Sequence, residues 1–210
     1  KRILDETDIP RLRISSLQPQ EITPELLSTW QDPRVCPHFH IPLQSGSNPI
    51  LKRMRRRYDV YTYSKAIDLV RAKLPQASIS ADVIVGFPGE TAEEFKETQA
   101  LSEAINFSWM HIFPFSPRPG TTASYLSDHL ESSVKRERMA QMLSLSRRQE
   151  QVFLEAQIGS QQAVLWEEEI SLPSNTGRAW VGHAPNYARV FSRAEEKLRN
   201  TITQAEIFEH

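Results

Sequence analysis

The apolar positions in the first two thirds of the chain form short β-branched runs separated by stretches with helical spacing. The clearest run, residues 79–85, contains one ionisable side chain, Asp82, and two glycines follow it. Thr91 and Glu94 then have the spacing of a capping box, which predicts a helix start. Because an Asp inside a buried strand is costly without a partner, we expect a ligand site where this strand ends.

Three further runs predict strands, at residues 12–16, 38–43 and 107–113. Between them, Thr23 begins a short helix, and apolar residues at helical spacing predict another helix over residues 63–74. Strands that alternate with helices indicate βαβ units and a parallel sheet, here with too few strands for a closed eight-stranded barrel. Each strand is followed by a turn rich in Ser, Gly or Pro, so the four turns should gather on one rim.

The pattern changes after Asp128. Residues 134–158 lack Pro and Gly and predict one long amphipathic helix, interpreted as a connector, that buries Met139, Met142, Val152 and Phe153. Residues 159–210 carry four short strand signals separated by loops at residues 173–175, at residues 185–186 and in a later charged stretch. This tail predicts a small antiparallel barrel or sandwich.

Composition limits the choice of partners. The chain has 25 Lys and Arg against 26 Asp and Glu, so a nucleic acid or membrane partner would need a local patch. The single cysteine, Cys36, excludes an intrachain disulfide or a cysteine-only cluster site within this chain, and it is expected to be a buried bystander. No apolar run has the length of a membrane helix, which favours a cytoplasmic protein without a membrane partner. Because the sequence begins without Met, we expect a fragment.

Several segments together resemble the radical S-adenosylmethionine methylthiotransferases. The segments are Arg13 with Ser15-Ser16 and Pro19, His38-Phe-His-Ile-Pro-Leu-Gln-Ser-Gly-Ser, Leu51-Lys-Arg-Met with Tyr58, Asp82-Val-Ile-Val-Gly-Phe-Pro-Gly-Glu-Thr, and Phe115-Ser-Pro-Arg-Pro-Gly-Thr. The tail resembles the TRAM module of these enzymes through Gly182-His183, Asn186-Tyr187 and Arg189-Val190. Each motif alone is only moderately specific for this family, but five motifs in the family's order are strongly specific. The resemblance covers nearly the whole chain.

The resemblance implies an α/β fold: the C-terminal part of a radical SAM partial (βα) barrel over residues 1–133, a connecting helix over 134–158 and a TRAM-like β-barrel over 159–210. It implies transfer of a methylthio group to adenosine beside the tRNA anticodon. The tRNA branches are favoured, most of all the MtaB type that acts on threonylcarbamoyladenosine, ahead of isopentenyladenosine. The alternative within the family is a branch that modifies an aspartate of a ribosomal protein.

The family's Cys-x-x-x-Cys-x-x-Cys motif and its N-terminal domain are absent from this sequence. The resemblance therefore implies that S-adenosylmethionine binds here, whereas the ligands of two [4Fe-4S] clusters lie in a missing N-terminal segment. We expect this chain alone to be catalytically inactive. The expected partners are that segment and a tRNA anticodon stem-loop, and the protein is expected to be a monomer.

By resemblance, the candidate S-adenosylmethionine contacts are Ser15, Gln44, Ser45, Asp82, Ile84 and Gly86. The alternative for residues 44–47 is that they only build a turn and cap a helix. Asp82 either orients ligand groups or accepts hydrogen bonds from backbone amides. The candidate substrate or RNA contacts are Arg118, Arg178, His183, Tyr187 and Arg189, where Arg118 alternatively forms a salt bridge within its loop.

Several other features of the sequence have a functional and a structural explanation. The five basic residues within 52–57 either bind RNA phosphates or form a solvated helix face with partners among nearby acids. His38 and His40 lie on one face of a strand and are interpreted as core or rim residues, not metal ligands. Trp166, Trp180 and Phe191 are interpreted as core, whereas Tyr187 is placed to stack on a base.

The tail has five basic and seven acidic residues, so an RNA patch there requires its acids to face away. Two functions from other classes remain open: a non-enzymatic RNA-binding protein without a cluster domain, and an unrelated parallel α/β enzyme that binds a phosphorylated metabolite.

Overall fold

The computed structural model describes residues 1–171 and 178–209. Its α-helices are α1 (Arg2–Glu6), α2 (Pro24–Leu27), α3 (Asn48–Arg53), α4 (Val60–Lys73), α5 (Ala92–Ile105) and α6 (Ser132–Glu155). Its strands are β1 (His38–His40), β2 (Ser78–Val85), β3 (Trp109–Pro114), β4 (Gln161–Ser171), β5 (Arg178–His183), β6 (Arg189–Arg193) and β7 (Ile202–Glu206). Short 3₁₀ turns cover Pro19–Glu21, Ser28–Gln31 and Thr122–Tyr125.

The first sheet is parallel, in the order β1-β2-β3, which confirms the predicted βαβ organisation. The strand predicted at residues 12–16 is wrong, because the structure has only one bridge there, between Leu12 and Val35. Ser16 has a left-handed backbone with φ of 58°, and this conformation breaks an extended run. The sheet therefore has three strands where four were predicted.

The two faces of this sheet differ in chemistry. One face is apolar and packs against the helices, and it includes Phe39, Ile41, Ala81, Val83, Val85, Met110 and Ile112. The register aligns His40 with Ser80 and Asp82 with His111, so these polar side chains share the opposite face. The alternation therefore leaves one polar face for chemistry while the other face builds the core.

Helix α6 completes that core. Met142 and Leu145 are buried in it, and the Ser146 hydroxyl accepts a hydrogen bond from the Met110 amide of β3 at 3.0 Å. The helix therefore packs on the sheet and is more than a connector, although the division into three parts stays a prediction. The expected burial of Val152 is wrong, since this side chain is 53% exposed.

The tail forms an antiparallel sheet in the order β6-β5-β4-β7, around Val164, Trp166 and Trp180. The predicted antiparallel module and its tryptophan core are confirmed. Phe191 is 58% exposed, so its assignment to the core is wrong. Within the described residues β6 and β7 are edges, and no pairing between them closes a barrel. The loop predicted at residues 173–175 lies outside the described residues.

The turn at residues 184–188 docks the tail against the first sheet. Arg11 donates a hydrogen bond to the carbonyl of His183 at 2.9 Å, and Arg13 donates one to the carbonyl of Pro185 at 3.2 Å. The Ser78 hydroxyl, at the start of β2, donates to the carbonyl of Asn186 at 2.5 Å. The tail therefore covers the amino ends of the parallel strands and leaves their carboxyl ends free.

Candidate functional site

The carboxyl ends of the three parallel strands form one rim, as the sequence predicted. Gln44 ties the loop after β1 to β2, because its amide donates to the carbonyl of Asp82 at 2.8 Å and its carbonyl accepts from the amide of Ile84 at 2.9 Å. The amide of Phe115, after β3, donates to the carbonyl of Val85 at 2.8 Å. The predicted turns after these strands therefore meet at this edge.

Gln44 combines an unusual backbone conformation with a side-chain amide that is unpaired among the described residues at this rim. Its backbone is left-handed, with φ of 63°, the residue as a whole is 7% exposed, and its side-chain amide makes no hydrogen bond within the described part of the chain. Such a conformation is uncommon for residues other than glycine and is often found at functional sites. The amide group is therefore available to a polar ligand.

Ser45 is fully buried and builds the turn instead. Its hydroxyl lies 3.1 Å from the Thr98 hydroxyl of α5 and accepts a hydrogen bond from the amide of Ser47 at 3.2 Å. The amide of Gly46 donates to the same Thr98 oxygen at 2.9 Å. The turn-building explanation thus accounts for every contact of the Ser45 hydroxyl, and a ligand contact by Ser45 stays a prediction.

A polar cluster lies on the open face of the sheet around Asp82. His40 Nε2 approaches Asp82 Oδ1 to 3.2 Å, without hydrogen-bond geometry, and His40 Nδ1 is 3.3 Å from the Ser16 hydroxyl. The ring of His111, the sheet neighbour of Asp82, is 6.2 Å from the ring of His40. Asp82 therefore has a side-chain neighbour on β1. Sequence reasoning missed His111, although the alternation of β3 identifies its face.

Glu90, the last residue of the Gly-Phe-Pro-Gly-Glu motif, forms a buried ion pair that sequence reasoning also missed. Its Oε2 accepts from the amide of Gly86 at 2.7 Å and lies 2.5 Å from Arg138 Nη1 of α6. Burial raises the pKa of Glu90, against the lowering by Gly86 and Arg138. Glu90 Oε1 is buried without a hydrogen-bond partner among the described residues. The pair ties the rim loop to α6.

Two glycines of this loop, Gly86 and Gly89, follow β2 at the predicted ligand site, and glycine commonly lets a ligand approach the backbone closely. Both have left-handed φ values, 71° for Gly86 and 72° for Gly89. A Cβ on Gly86 would lie 2.3 Å from the Lys135 side chain, and one on Gly89 would lie 2.8 Å from the Arg53 guanidinium. The space beside both glycines is therefore taken by this chain's own side chains. A ligand contact at Gly86 stays a prediction.

A cavity of about 410 Å³ opens on the rim. Its lining includes basic residues at and just after the end of α3, together with Ile84, Phe87 and Phe115. Its full lining is Arg53, Met54, Arg55, Arg56, Ile84, Phe87, Phe115, Thr121, Thr122, Ala123 and Leu126. The cavity thus combines guanidinium groups, hydroxyls and aromatic rings next to the predicted contact Ile84.

Two predicted contacts lie on exposed loops. Ser15 is exposed beside Ser16. Arg118 is exposed, and its carbonyl accepts the hydroxyl of Thr121 at 2.8 Å. The guanidinium of Arg118 forms no ion pair with any described residue, so the salt-bridge explanation has no support. Ligand contacts by Ser15 and Arg118 stay predictions.

Tyr187, predicted to stack on a base, instead contacts protein groups at the amino end of the sheet. Its ring centroid is 5.0 Å from that of His38 and 5.6 Å from that of Trp109, and the Arg13 guanidinium lies 4.5 Å from it. Its backbone is left-handed, with φ of 70°. Burial first, and then Arg13, lowers the pKa of His38 to about 3, so His38 is neutral in this cluster.

The predicted RNA patch of the tail is divided. His183 and Arg189 are paired across β5 and β6, whereas Arg178 lies at the other end of β5, about 17 Å along the strand. An RNA patch in the tail would require the acids to face away, and two of them do not. Glu167 contacts His183, and Glu169 pairs with Arg178 at 3.4 Å, because β4 runs antiparallel beside β5. RNA contacts by Arg178, His183 and Arg189 stay predictions.

No group of three or more potential metal ligands occurs in the part of the chain that the structure describes. Cys36 is buried, and burial raises the pKa of its thiol, as expected for a bystander. In the same residues, no helix is both long and apolar enough to cross a membrane.

Comparison with known proteins agrees with these motifs. Residues 3–101 match the model of the radical SAM superfamily. The chain is 34% identical to a threonylcarbamoyladenosine tRNA methylthiotransferase, MtaB of Bacillus subtilis, over 98% of this chain and 47% of that protein. It is 39% identical to a tRNA-2-methylthio-N(6)-dimethylallyladenosine synthase of Nitratidesulfovibrio vulgaris, over 84% of this chain and 40% of that protein. The chain belongs to the radical SAM methylthiotransferase family.

Two further comparisons concern the radical SAM fold and the share of each relative's length that this chain covers. MtaB of Thermotoga maritima is 45% identical over 61% of this chain and 30% of that protein. The coproporphyrinogen III oxidase HemN of Escherichia coli, described as a radical SAM enzyme, superposes with a TM-score of 0.55 at 16% identity, over 66% of this chain and 32% of HemN. HemN supports the fold alone. The methylthiotransferase chain spans less than half the length of the relatives it matches.

Proposed function

We propose that this chain is part of a cytoplasmic tRNA methylthiotransferase that modifies an adenosine beside the anticodon, with threonylcarbamoyladenosine as the favoured substrate. The observation that carries the proposal is the convergence of the family's motifs on one rim, where Gln44 joins Asp82 and Ile84. The relatives named for threonylcarbamoyladenosine and dimethylallyladenosine tRNA support a tRNA substrate. The whole protein's activity is part of the proposal.

The rim residues fit S-adenosylmethionine, which has a charged amino-acid end, a ribose and an adenine. The free amide of Gln44 and the partly exposed carboxylate of Asp82 suit the polar end. Ile84 lines the rim cavity and suits the apolar face of the adenine, while the contact of the Gly86 backbone with that base stays a prediction. In this proposal these residues orient the bound molecule, and the apolar core beneath them keeps the rim rigid.

The described residues do not fit a [4Fe-4S] cluster, because Cys36 is buried and the polar face has no cysteine. We propose that the ligands of both clusters belong to other parts of the full-length protein, whose clusters supply the reducing and sulfur-donating chemistry. The contribution of this chain is then binding and orientation at the rim, with no residue assigned to the radical chemistry.

The decisive experiment uses the full-length protein reconstituted with iron and sulfide. It is incubated with S-adenosylmethionine, a one-electron reductant and, in separate reactions, tRNA that carries threonylcarbamoyladenosine, tRNA that carries dimethylallyladenosine, unmodified tRNA or ribosomal protein, and the products are examined by mass spectrometry. A methylthio adduct on the threonylcarbamoylated tRNA supports the proposal, and an adduct only on dimethylallyladenosine changes the branch. An adduct on a ribosomal protein with none on tRNA overturns it.

A further inference from the structure

The basic segment at residues 52–57 lies on the same rim as the predicted S-adenosylmethionine contacts. Ile50 and Leu51 of α3 are buried, and Tyr58 anchors the other end by donating a hydrogen bond to the carbonyl of Pro42 at 2.9 Å. These anchors hold the intervening basic side chains at the surface, since only the apolar positions fit the core. The segment is therefore a rigid part of the rim.

Only one of its five cations has an acidic partner among the described residues. Arg53 Nη2 lies 2.9 Å from both carboxylate oxygens of Glu94. Lys52, Arg55, Arg56 and Arg57 form no ion pair within residues 1–171 and 178–209. The explanation by nearby acids thus applies to Arg53 alone, and the segment keeps a local excess of positive charge.

Two of these unpaired cations, Arg55 and Arg56, line the rim cavity together with aromatic rings and hydroxyls. Phe87 and Phe115 lie edge to face in it, with ring centroids 5.1 Å apart. Arg55 has a left-handed backbone, with φ of 58°, so the chain turns sharply where it reaches the cavity. Cations beside aromatic rings are the combination that binds single-stranded nucleic acid, by phosphate neutralisation and base stacking.

We propose that Arg55 and Arg56 bind successive backbone phosphates of an RNA strand whose unpaired base enters the cavity toward Phe87 and Phe115. This inference rests on the proposed function and deepens it by assigning the RNA grip to the barrel rim. The tail is a poorer candidate, because Glu167 and Glu169 contact its predicted cations. An aspartate side chain of a protein substrate presents one carboxylate and no ring, and it leaves most of this surface unused.

The test measures binding of a fluorescent, unmodified anticodon stem-loop RNA by the full-length protein across a series of salt concentrations. Each phosphate contact on a single strand contributes about 0.7 to the slope of log affinity against log salt. The R55Q/R56Q variant should therefore lower the slope by about 1.4, and weaken binding about 25-fold at 0.1 M salt. The R55K/R56K variant keeps the charges and should restore most of the slope.

The matched control is K52Q/R57Q, which removes the same charge from the same segment but away from the cavity lining. Equal losses in both double variants mean a diffuse field and overturn the assignment to Arg55 and Arg56, and so does a wild-type protein that does not bind the RNA. Circular dichroism establishes that each variant is folded.

The RNA measurement needs no catalysis, so the two proposals fail separately. A methylthio adduct on tRNA with unchanged RNA binding by R55Q/R56Q overturns this inference alone. A loss of RNA binding in that variant, with no adduct on any tRNA, overturns the proposed function alone.

Discussion

The ring of Tyr187 in the tail stacks on the ring of His38 in β1, with centroids 5.0 Å apart and planes 19° apart. These residues are far apart in sequence, and Tyr187 lies in the turn between β5 and β6, so the contact joins the tail to the amino end of the parallel sheet. Tyr187 keeps a left-handed φ that is unfavourable for its side chain, which indicates that the surrounding contacts outweigh the backbone cost. The turn at residues 184–188 is thus a structural joint.

Replacing Tyr187 by Ala should lower the free energy of unfolding by about 2 kcal/mol, since it removes ring stacking and the Arg13 contact. The left-handed backbone is equally unfavourable for both residues, so that cost cancels. Urea unfolding followed by circular dichroism measures the change. Tyr187→Phe keeps the ring and should stay close to wild type, and a loss as large as that of the Ala variant contradicts the stacking explanation.

The stability of the chain should depend on His38 in acid. Its pKa is held at about 3 in the folded state and returns to about 6.5 on unfolding, so only the unfolded chain takes up the proton between these values. The contribution of His38 to the free energy of unfolding is therefore fully present above pH 6.5. It falls as the pH drops, by at most about 1.4 kcal/mol per pH unit. Arg13, His40 and His111 all act in the same direction.

The measurement is the free energy of unfolding of wild type and His38→Phe between pH 7 and about 4. The variant keeps an aromatic ring beside Trp109 and Tyr187 but cannot titrate, so the difference between the two curves should change with pH in that window. Ser80→Ala removes the 3.2 Å contact with His38 Nε2 and serves as a non-titrating control. Parallel curves for wild type and His38→Phe contradict the prediction.

The buried pair of Glu90 and Arg138 should be more sensitive to the loss of one partner than of both. Arg138→Met leaves the Glu90 carboxylate buried without its cation and should cost about 3–5 kcal/mol at neutral pH. The loss should shrink as pH falls, because protonation removes the buried charge. The double variant Glu90→Gln with Arg138→Met should be less destabilised than Arg138→Met alone, and the reverse order contradicts this account.

Gly46 should tolerate no side chain, because a Cβ there meets backbone atoms of α5, at 2.7 Å from Thr98 Cα. Gly46→Ala should therefore separate the rim turn from α5 and cost more than about 2 kcal/mol. Gly120→Ala is the comparison, since its φ is 80° but nothing lies within 4 Å of a Cβ. Thermal unfolding of both variants tests this, and equal losses contradict the close-approach explanation.

Local patterns sufficed for the parallel sheet, the capped helix α5 and the tryptophan core of the tail. The β-branched apolar run of β2 and the Thr91–Glu94 capping box depend on neighbouring residues, which is why sequence reasoning reached them. The motif order also identified the family and the rim. The strand predicted at residues 12–16 failed because the left-handed Ser16 is not visible in a propensity pattern.

Only the tertiary structure decided which side chains already contact another part of the protein and which remain available to a ligand. Ser45 is bound to Thr98, Tyr187 to His38, and Glu167 to His183, and each pairing depends on packing between segments distant in sequence. The same packing leaves Arg55 and Arg56 beside a cavity, without an ion pair to any acid in the part of the chain that the structure describes. Residue types alone determined what chemistry the chain contains, whereas contacts across the fold determined where that chemistry remains available, because hydrogen bonds and charges are satisfied between elements.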